Sequence, residues 1–203
     1  LHEVIRLSGM NLIIDDTDHP LIIKVASIQS ARMQVYFIDN DDYFQRKHTV
    51  ADAAGNEYDD NDERAIFFAR GVIETVRKLR WSPDIVHVHG WLASLVPLYL
   101  RKLYSDDPVF SKVKSVYSVY NNGFKKPLKS SLPDKLLADG IDSGTLKSIK
   151  GSADFLNLTT LAAENSDGII FGCEKIDEQV KKRISAMGKP LLEYQGEENY
   201  IDA

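Results

Sequence analysis

The sequence predicts an α/β fold of the Rossmann-like kind, with a mostly parallel sheet and helices on both faces. Two observations predict it: the residues after about position 60 alternate between helical and strand-like patterns, and the first forty residues are rich in β-formers. The composition, 43% hydrophobic and 27% charged over 203 residues, is that of a globular protein and excludes a disordered chain. We expect residues 1–203 to form a single domain, because no linker divides the chain.

The amino-terminal part of the chain is predicted to form strands. Apolar runs separated by turn-forming residues lie at 4–7, 10–14, 21–26 and 33–38. In the last run, Val35 and Phe37 lie on one face, and the other face is also apolar or aromatic. This pattern is typical of a strand buried on both faces.

The rest of the chain alternates between helices and strands. Residues 62–79 place Ile66, Val72 and Ile73 on one stripe of a helix. Strands are then predicted at 85–88, 113–119 and 168–171, and helices at 92–103, 152–164 and 174–186. Pro97 falls inside the second helix, where it is expected to kink the helix or to end its first segment. Such alternation predicts parallel strands joined by helical crossovers.

Charge and cysteine content exclude several classes of function. Lys and Arg number 25 against 30 Asp and Glu, a net charge of −5, which argues against nucleic-acid binding. The single cysteine, Cys173, excludes an intrachain disulfide and a thiolate metal cluster. No apolar run approaches the length of a membrane span, about 20 residues, and no signal-peptide core opens the chain, so a cytoplasmic protein is expected. The chain does not start with Met, so we also expect further residues upstream of Leu1.

Polar and aromatic side chains cluster where two predicted strands end. His89 and Trp91 follow the strand at 85–88, and Tyr120, Asn121 and Asn122 follow the strand at 113–119. In an open α/β sheet, ligands bind at the carboxyl ends of the strands. Hydroxyl-binding groups together with aromatic rings suit a sugar. The sequence therefore predicts that these side chains bind a substrate.

Other chemistries are weakly supported. His87 and His89 lie on the same face of a strand, but no third metal-coordinating residue is near them in the sequence. A metal site is therefore less favoured than two other roles: histidines in the core or at the rim of a site, or histidines that contact a bound molecule. The acidic stretch at 39–63 does not fit the calcium-loop template. No glycine-rich phosphate loop and no nucleophile elbow are present. We therefore predict neither a metal nor a cofactor.

A family resemblance is carried by residues 81–91, Trp-Ser-Pro-Asp-Ile-Val-His-Val-His-Gly-Trp, and 95–100, Leu-Val-Pro-Leu-Tyr-Leu. These resemble the starch and bacterial glycogen synthases, whose pattern is Trp-x-Pro-Asp, two apolar residues, His-x-His-Asp-Trp-His and then apolar-Pro-x-Tyr-Leu. Further similar segments follow the family order at 35–39, 60–70 and 107–121. The resemblance extends over about residues 33–180.

The resemblance implies the amino-terminal half of a GT-B glycosyltransferase. Such enzymes transfer glucose from ADP-glucose to an α-1,4-glucan with retention of configuration, across a cleft between two Rossmann-like domains. The implied partners are an α-glucan or malto-oligosaccharide and a second GT-B half. The family's first strand, with its Lys-x-Gly-Gly loop, would lie upstream of Leu1. The nucleotide-binding domain would also lie outside residues 1–203.

The chain departs from the family at positions that carry chemistry. Gly90 stands where the family has Asp, Leu92 where it has the next His, and Tyr120 where it has the active-site His. Thr160 and Cys173 replace a buried Lys and the Ser of a Ser-Pro pair. Losing one polar contact to a transition state typically costs a few kcal/mol. We therefore predict no catalytic residue in this chain.

Three hypotheses remain open. The first is a degenerate synthase-like domain that retains at most glucan binding or a regulatory role. The second is the acceptor half of an active glucosyltransferase, completed by a partner or a missing segment. The third is a non-enzymatic interaction module built on the same fold.

Overall fold

The computed structural model describes residues 3–196 and 198–200. The strands are β1 (Ile5–Ile14), β2 (Thr17–Ile28), β3 (Met33–Asp39), β4 (Ile85–His89), β5 (Lys114–Val119), β6 (Gly168–Phe171) and β7 (Leu191–Leu192). The helices are α1 (Asp41–Phe44), α2 (Asn61–Leu79), α3 (Leu95–Lys102), α4 (Leu132–Ala138), α5 (Phe155–Glu164) and α6 (Glu178–Ser185). Short 3-10 turns cover Gln29–Ala31 and Thr145–Ser148.

The first three strands form an antiparallel sheet in the order β1-β2-β3. The predicted runs at 4–7 and 10–14 are one strand, whose pairing with β2 shifts between Arg6 and Ser8. Asp15 and Asp16 make the β1–β2 turn with φ of 51° and 57°, a left-handed conformation that aspartate tolerates. The prediction that 33–38 is buried on both faces is wrong, because β3 is an edge strand and Phe37 is 41% exposed.

The remaining strands form a parallel sheet in the order β4-β5-β6-β7. Helices α2, α3, α5 and α6 lie side by side in that order, and α3 and α5 contact β5. Right-handed crossovers between strands added in sequential order place α3, α5 and α6 on one face. The predicted α/β class with a mostly parallel sheet is confirmed by these four strands. The prediction of a single domain is left untested.

Helix ends depart from the predictions for local reasons. The helix expected at 92–103 begins at Leu95, and Pro97 lies in its first turn, where no backbone N–H partner is required. The predicted kink is therefore absent from α3. The helix expected at 174–186 begins only at Glu178, because the Asp177 side chain caps the amides of Gln179 and Val180. Among the described residues, no helix is both long and apolar enough to cross a bilayer.

Helix α2 connects the two sheets. A Cβ added at Gly71 would lie 2.6 Å from Ile38 Cγ2, so the helix backbone approaches β3 closely at this glycine. Phe68 and Val72 lie on a neighbouring part of the helix surface and face Val86 and Val88 of β4 across a cavity. The helix therefore fixes how β3 and β4 lie relative to each other.

Candidate functional site

The carboxyl ends of β4 and β5 meet at one edge of the parallel sheet. The pairing aligns His89 with Ser118, and Gly90 N–H donates to the Ser118 carbonyl at 3.1 Å. Gly90 has φ of 72°, a conformation that favours glycine. A Cβ there would lie 3.3 Å from Asn122 Nδ2, so the absent side chain also lets the Asn122 amide approach the end of β4.

Two histidines and a tyrosine form the polar part of this edge. His89 Nδ1 and Tyr120 Oη are 2.8 Å apart, and His87 Nε2 and Ser118 Oγ are 2.7 Å apart. The two imidazole rings lie with their centroids 4.0 Å apart. The side chains of His89, Asn121 and Asn122 are exposed, and that of Tyr120 is half-buried. The edge therefore presents several hydrogen-bonding groups to solvent.

The end of β6 holds the Tyr120 ring in place. Gly172 follows this strand, and a Cβ at Gly172 would overlap the Tyr120 ring. Gly172 N–H donates to the Val119 carbonyl at 2.8 Å, so the two strand ends are tied by their backbones. Asn121 N–H donates to Cys173 Sγ at 3.3 Å. The ends of β4, β5 and β6 therefore build the site together.

A cavity of about 440 Å³ opens beside β4. Its walls include His87, His89, Gly90, Trp91, Leu92 and Asn122. A second cavity of about 480 Å³ lies on the other side of the 121–123 loop, and its lining includes Asn121. Of the predicted site residues, His89, Trp91 and Asn122 line the first cavity and Asn121 lines the second, whereas Tyr120 is not part of either lining.

Trp91 has a position that the sequence did not indicate. Its side chain is only 3% exposed, and its ring packs edge-on against Phe124 at 5.3 Å between centroids. It reaches the first cavity as part of the wall. Among the described residues, no group of three or more His, Cys, Asp or Glu side chains is placed to hold a metal ion.

The loop after β5 is anchored by a residue that sequence reasoning missed. The Glu57 carboxylate accepts hydrogen bonds from the backbone amides of Lys125 at 2.6 Å and Lys126 at 2.8 Å. These partners are nearly seventy residues apart in sequence. No local pattern could have indicated the contact.

Burial lowers the pKa of His87, and the neighbouring His89 lowers it further. We expect its imidazole to titrate below the ordinary value of about 6.5. The unfolded chain then binds this proton more readily than the folded chain. The contribution of His87 to the free energy of unfolding should therefore fall as the pH drops below that value. NMR titration of the His87 ring protons checks this, and a midpoint at or above the ordinary value would contradict it.

Comparisons with known proteins agree on one family. A sequence model described as the starch synthase catalytic domain matches residues 1–170. A glycogen synthase from Chlorobium luteolum is 37% identical over 168 residues, covering 82% of this chain and 34% of the relative. One from Chlorobaculum tepidum is 35% identical over 170 residues, covering 79% of this chain and 35% of the relative. The chain therefore spans about a third of the length of these relatives.

A solved structure shows the same fold. The catalytic domain of starch synthase IV from Arabidopsis thaliana, bound to ADP and acarbose, superposes with a TM-score of 0.72 at 16% identity. The superposition covers 94% of this chain and 40% of that chain.

Proposed function

Since the chain belongs to the starch synthase catalytic domain family, we propose that it binds a malto-oligosaccharide or α-glucan without itself transferring glucose. The binding edge is formed by the carboxyl ends of β4, β5 and β6. The observation that carries this proposal is the hydrogen-bonded pair of His89 and Tyr120 beside the exposed amides of Asn121 and Asn122. The Arabidopsis neighbour, which is bound to ADP and acarbose, adds support.

The chemistry of the edge suits sugar hydroxyls. Imidazole, phenol and amide groups both donate and accept hydrogen bonds, as hydroxyl groups require. Trp91 and Gly90 form part of the wall of the cavity beside His89. No Asp, Glu, Lys or Arg side chain is in the lining of this cavity, which favours a neutral ligand.

The same edge lacks groups that glycosyl transfer would use. Transfer develops positive charge on the sugar and negative charge on the leaving phosphate, and both need preorganised polar partners. Gly90 and Leu92 supply no charge, and the Tyr120 phenol supplies a hydroxyl that can donate and accept a hydrogen bond. Tyr120 can therefore orient a hydroxyl group of a sugar.

Calorimetry with maltoheptaose and with ADP-glucose tests the proposal. We expect the purified chain to bind maltoheptaose and to show no glucose transfer. The Tyr120→Phe variant should bind the sugar about two- to tenfold more weakly, because it loses one hydrogen-bonding hydroxyl. Tyr36→Phe removes a hydroxyl that donates to Gln34 Oε1 on β3; it is the matched control and should bind normally.

Three outcomes would contradict the proposal. Glucose transfer by this chain alone would contradict the assignment as non-catalytic. Absence of maltoheptaose binding would instead favour an interaction module on the same fold. Normal binding by Tyr120→Phe would remove Tyr120 from the site.

A second candidate function is the acceptor half of an active glucosyltransferase. It is favoured by the observation that the chain covers only 34% of the Chlorobium luteolum relative. In this case the donor-binding half comes from another segment or another chain. Expressing the complete reading frame together with its neighbouring gene and measuring glucose transfer from ADP-glucose distinguishes it from the first candidate.

A further inference from the structure

The loop after β5 carries the two amide side chains of the proposed binding edge. Asn122 lines the first cavity and Asn121 lines the second. In the part of the chain that the structure describes, residues 121–127 form no backbone–backbone hydrogen bond. A segment without such bonds opens at a small cost in free energy. The conformation of this loop therefore depends on contacts with side chains from elsewhere in the fold.

Two of these contacts fix the beginning and the middle of the loop. Asn121 N–H donates to Cys173 Sγ at 3.3 Å, but the sulfur of a thiol is a weak acceptor. The Phe124 side chain is 6% exposed, and its ring packs edge-on against Trp91 with 5.3 Å between centroids. This packing holds the ring but supplies no partner for the backbone amides that follow Phe124.

Glu57 supplies that partner. Its Oε1 accepts a hydrogen bond from Lys125 N–H at 2.6 Å, and its Oε2 accepts one from Lys126 N–H at 2.8 Å. Successive backbone amides that point at one anion form an anion-binding concavity. A hydrogen bond to an ionised acceptor is also roughly twice as strong as one between neutral groups. Glu57 therefore ties the end of the loop more firmly than Cys173 ties its beginning.

A short hairpin, formed by residues 50–58, holds the Glu57 carboxylate in this position. Tyr58 N–H donates to the Val50 carbonyl at 3.1 Å, and Ala51 and Glu57 pair as an antiparallel bridge. The pairing sets the register of the hairpin and thereby the place from which the Glu57 side chain extends.

Helix α2 fixes the base of the 50–58 hairpin. Arg64 is 2% exposed and donates to the Thr49 carbonyl at 2.6 Å, and Asn61 Nδ2 donates to the Val50 carbonyl at 2.9 Å. Thr49 lines the first cavity, beside the end of β4. The hairpin therefore borders the binding edge at its base and holds the loop after β5 through Glu57.

We propose that Glu57 is a positioning residue for sugar binding, which holds the 121–127 loop in the conformation that places Asn121 and Asn122 at their cavities. This inference rests on the function proposed above. Glu57 itself is in the lining of neither cavity, so it acts through the loop. The apparent affinity for a ligand falls in proportion to the fraction of molecules whose site is in the binding conformation. Glu57 raises that fraction.

The Glu57→Gln variant tests the proposal, because glutamine has nearly the same size but only one acceptor oxygen. One of the two amides of Lys125 and Lys126 then loses its partner. We expect calorimetry to show maltoheptaose binding about tenfold weaker than in the wild type. Hydrogen exchange at the two lysine amides should be about tenfold faster or more. Asp59→Asn removes the same charge at an exposed position just after the hairpin and should change neither quantity.

Two further exchange measurements separate a positioning role from a general loss of stability. The amide of Tyr117, in a strand paired on both sides, should exchange equally slowly in the wild type and in Glu57→Gln. Maltoheptaose should slow exchange at Lys125 and Lys126 in the wild type, because two contacts that favour the same loop conformation stabilise each other. A contact with a purely structural role would not respond to the sugar.

Four results would decide against the proposal. Normal maltoheptaose affinity in Glu57→Gln, with rapid exchange at Lys125 and Lys126, would overturn this inference and leave the proposed function intact. Unchanged exchange at these amides would show that Glu57 does not hold the loop. Weaker binding together with faster exchange at Tyr117 would assign Glu57 to overall stability instead. Failure of the wild type to bind maltoheptaose would overturn the proposed function and this inference with it.

Discussion

Replacing Lys135 with methionine should lower the free energy of unfolding by about 3–5 kcal/mol, the largest single effect that we expect outside the apolar core. Lys135 Nζ lies 2.8 Å from Asp62 Oδ2 and 2.6 Å from Glu63 Oε1. The Lys135 side chain is 6% exposed and that of Asp62 is fully buried. Removing the ammonium group leaves buried carboxylates without their positive partner, which costs more than the ion pair itself contributes.

The loss of unfolding free energy in Lys135→Met should become smaller as the pH falls. Burial raises the pKa of Glu63, but hydrogen bonds from Lys135 and Tyr43 outweigh that effect and hold the pKa below its ordinary value. Without Lys135 the Glu63 carboxylate loses the hydrogen bond that lowers its pKa most, so this pKa rises in the folded state. The variant should therefore gain stability relative to the wild type as the pH falls from 7 toward 5.

Urea unfolding at pH 7 and pH 5 measures both effects. The Lys135→Met/Asp62→Asn double variant should recover part of the loss, because one buried charge is removed. Lys112→Met, at an exposed position, is the control and should change stability by less than about 0.5 kcal/mol. A loss below about 1 kcal/mol for Lys135→Met would show that the carboxylates do not depend on this lysine.

Sequence periodicity located the regular elements but not the interactions between them. The stripe at 62–79 became α2, and the strand expected at 168–171 has those same bounds. α4 was missed because seven residues, with Pro133 in the first turn, are too few to show a helical period. Lys135 lies on this helix, 73 residues from Asp62, so the ion pair had no local signal.

For the candidate site too, the sequence indicated which residues take part but not how they contact one another. Residues at the ends of β4 and β5 could be selected, because the carboxyl ends of parallel strands share one edge. The hydrogen bond between His89 and Tyr120 depends on the register between β4 and β5, which sequence patterns do not indicate. The burial of Trp91 depends on Phe124, which lies in a loop without periodicity. The antiparallel arrangement of the first sheet was missed because strand runs alone do not indicate strand direction.

The Gly172→Ala variant should weaken maltoheptaose binding at least about tenfold and lower the free energy of unfolding by about 1–3 kcal/mol. A Cβ at this position would lie 3.0 Å from Tyr120 Cδ1 and closer still to two other ring atoms. The strand end cannot move away freely, because Gly172 N–H bonds to the Val119 carbonyl at 2.8 Å. The Tyr120 ring must therefore turn, which breaks its hydrogen bond to His89.

A second substitution separates the loss of stability from the loss of binding. In the Gly172→Ala background, Tyr120→Ala removes the overlap, so stability should partly return while maltoheptaose affinity stays low. Gly168→Ala on the same strand is the control, because a Cβ there meets no atom closer than 3.9 Å. Unchanged affinity in Gly172→Ala would show that the position of the Tyr120 ring does not matter to the ligand. Affinity that returns in the double variant would show that the ring itself is dispensable, because binding would then need only an intact strand end.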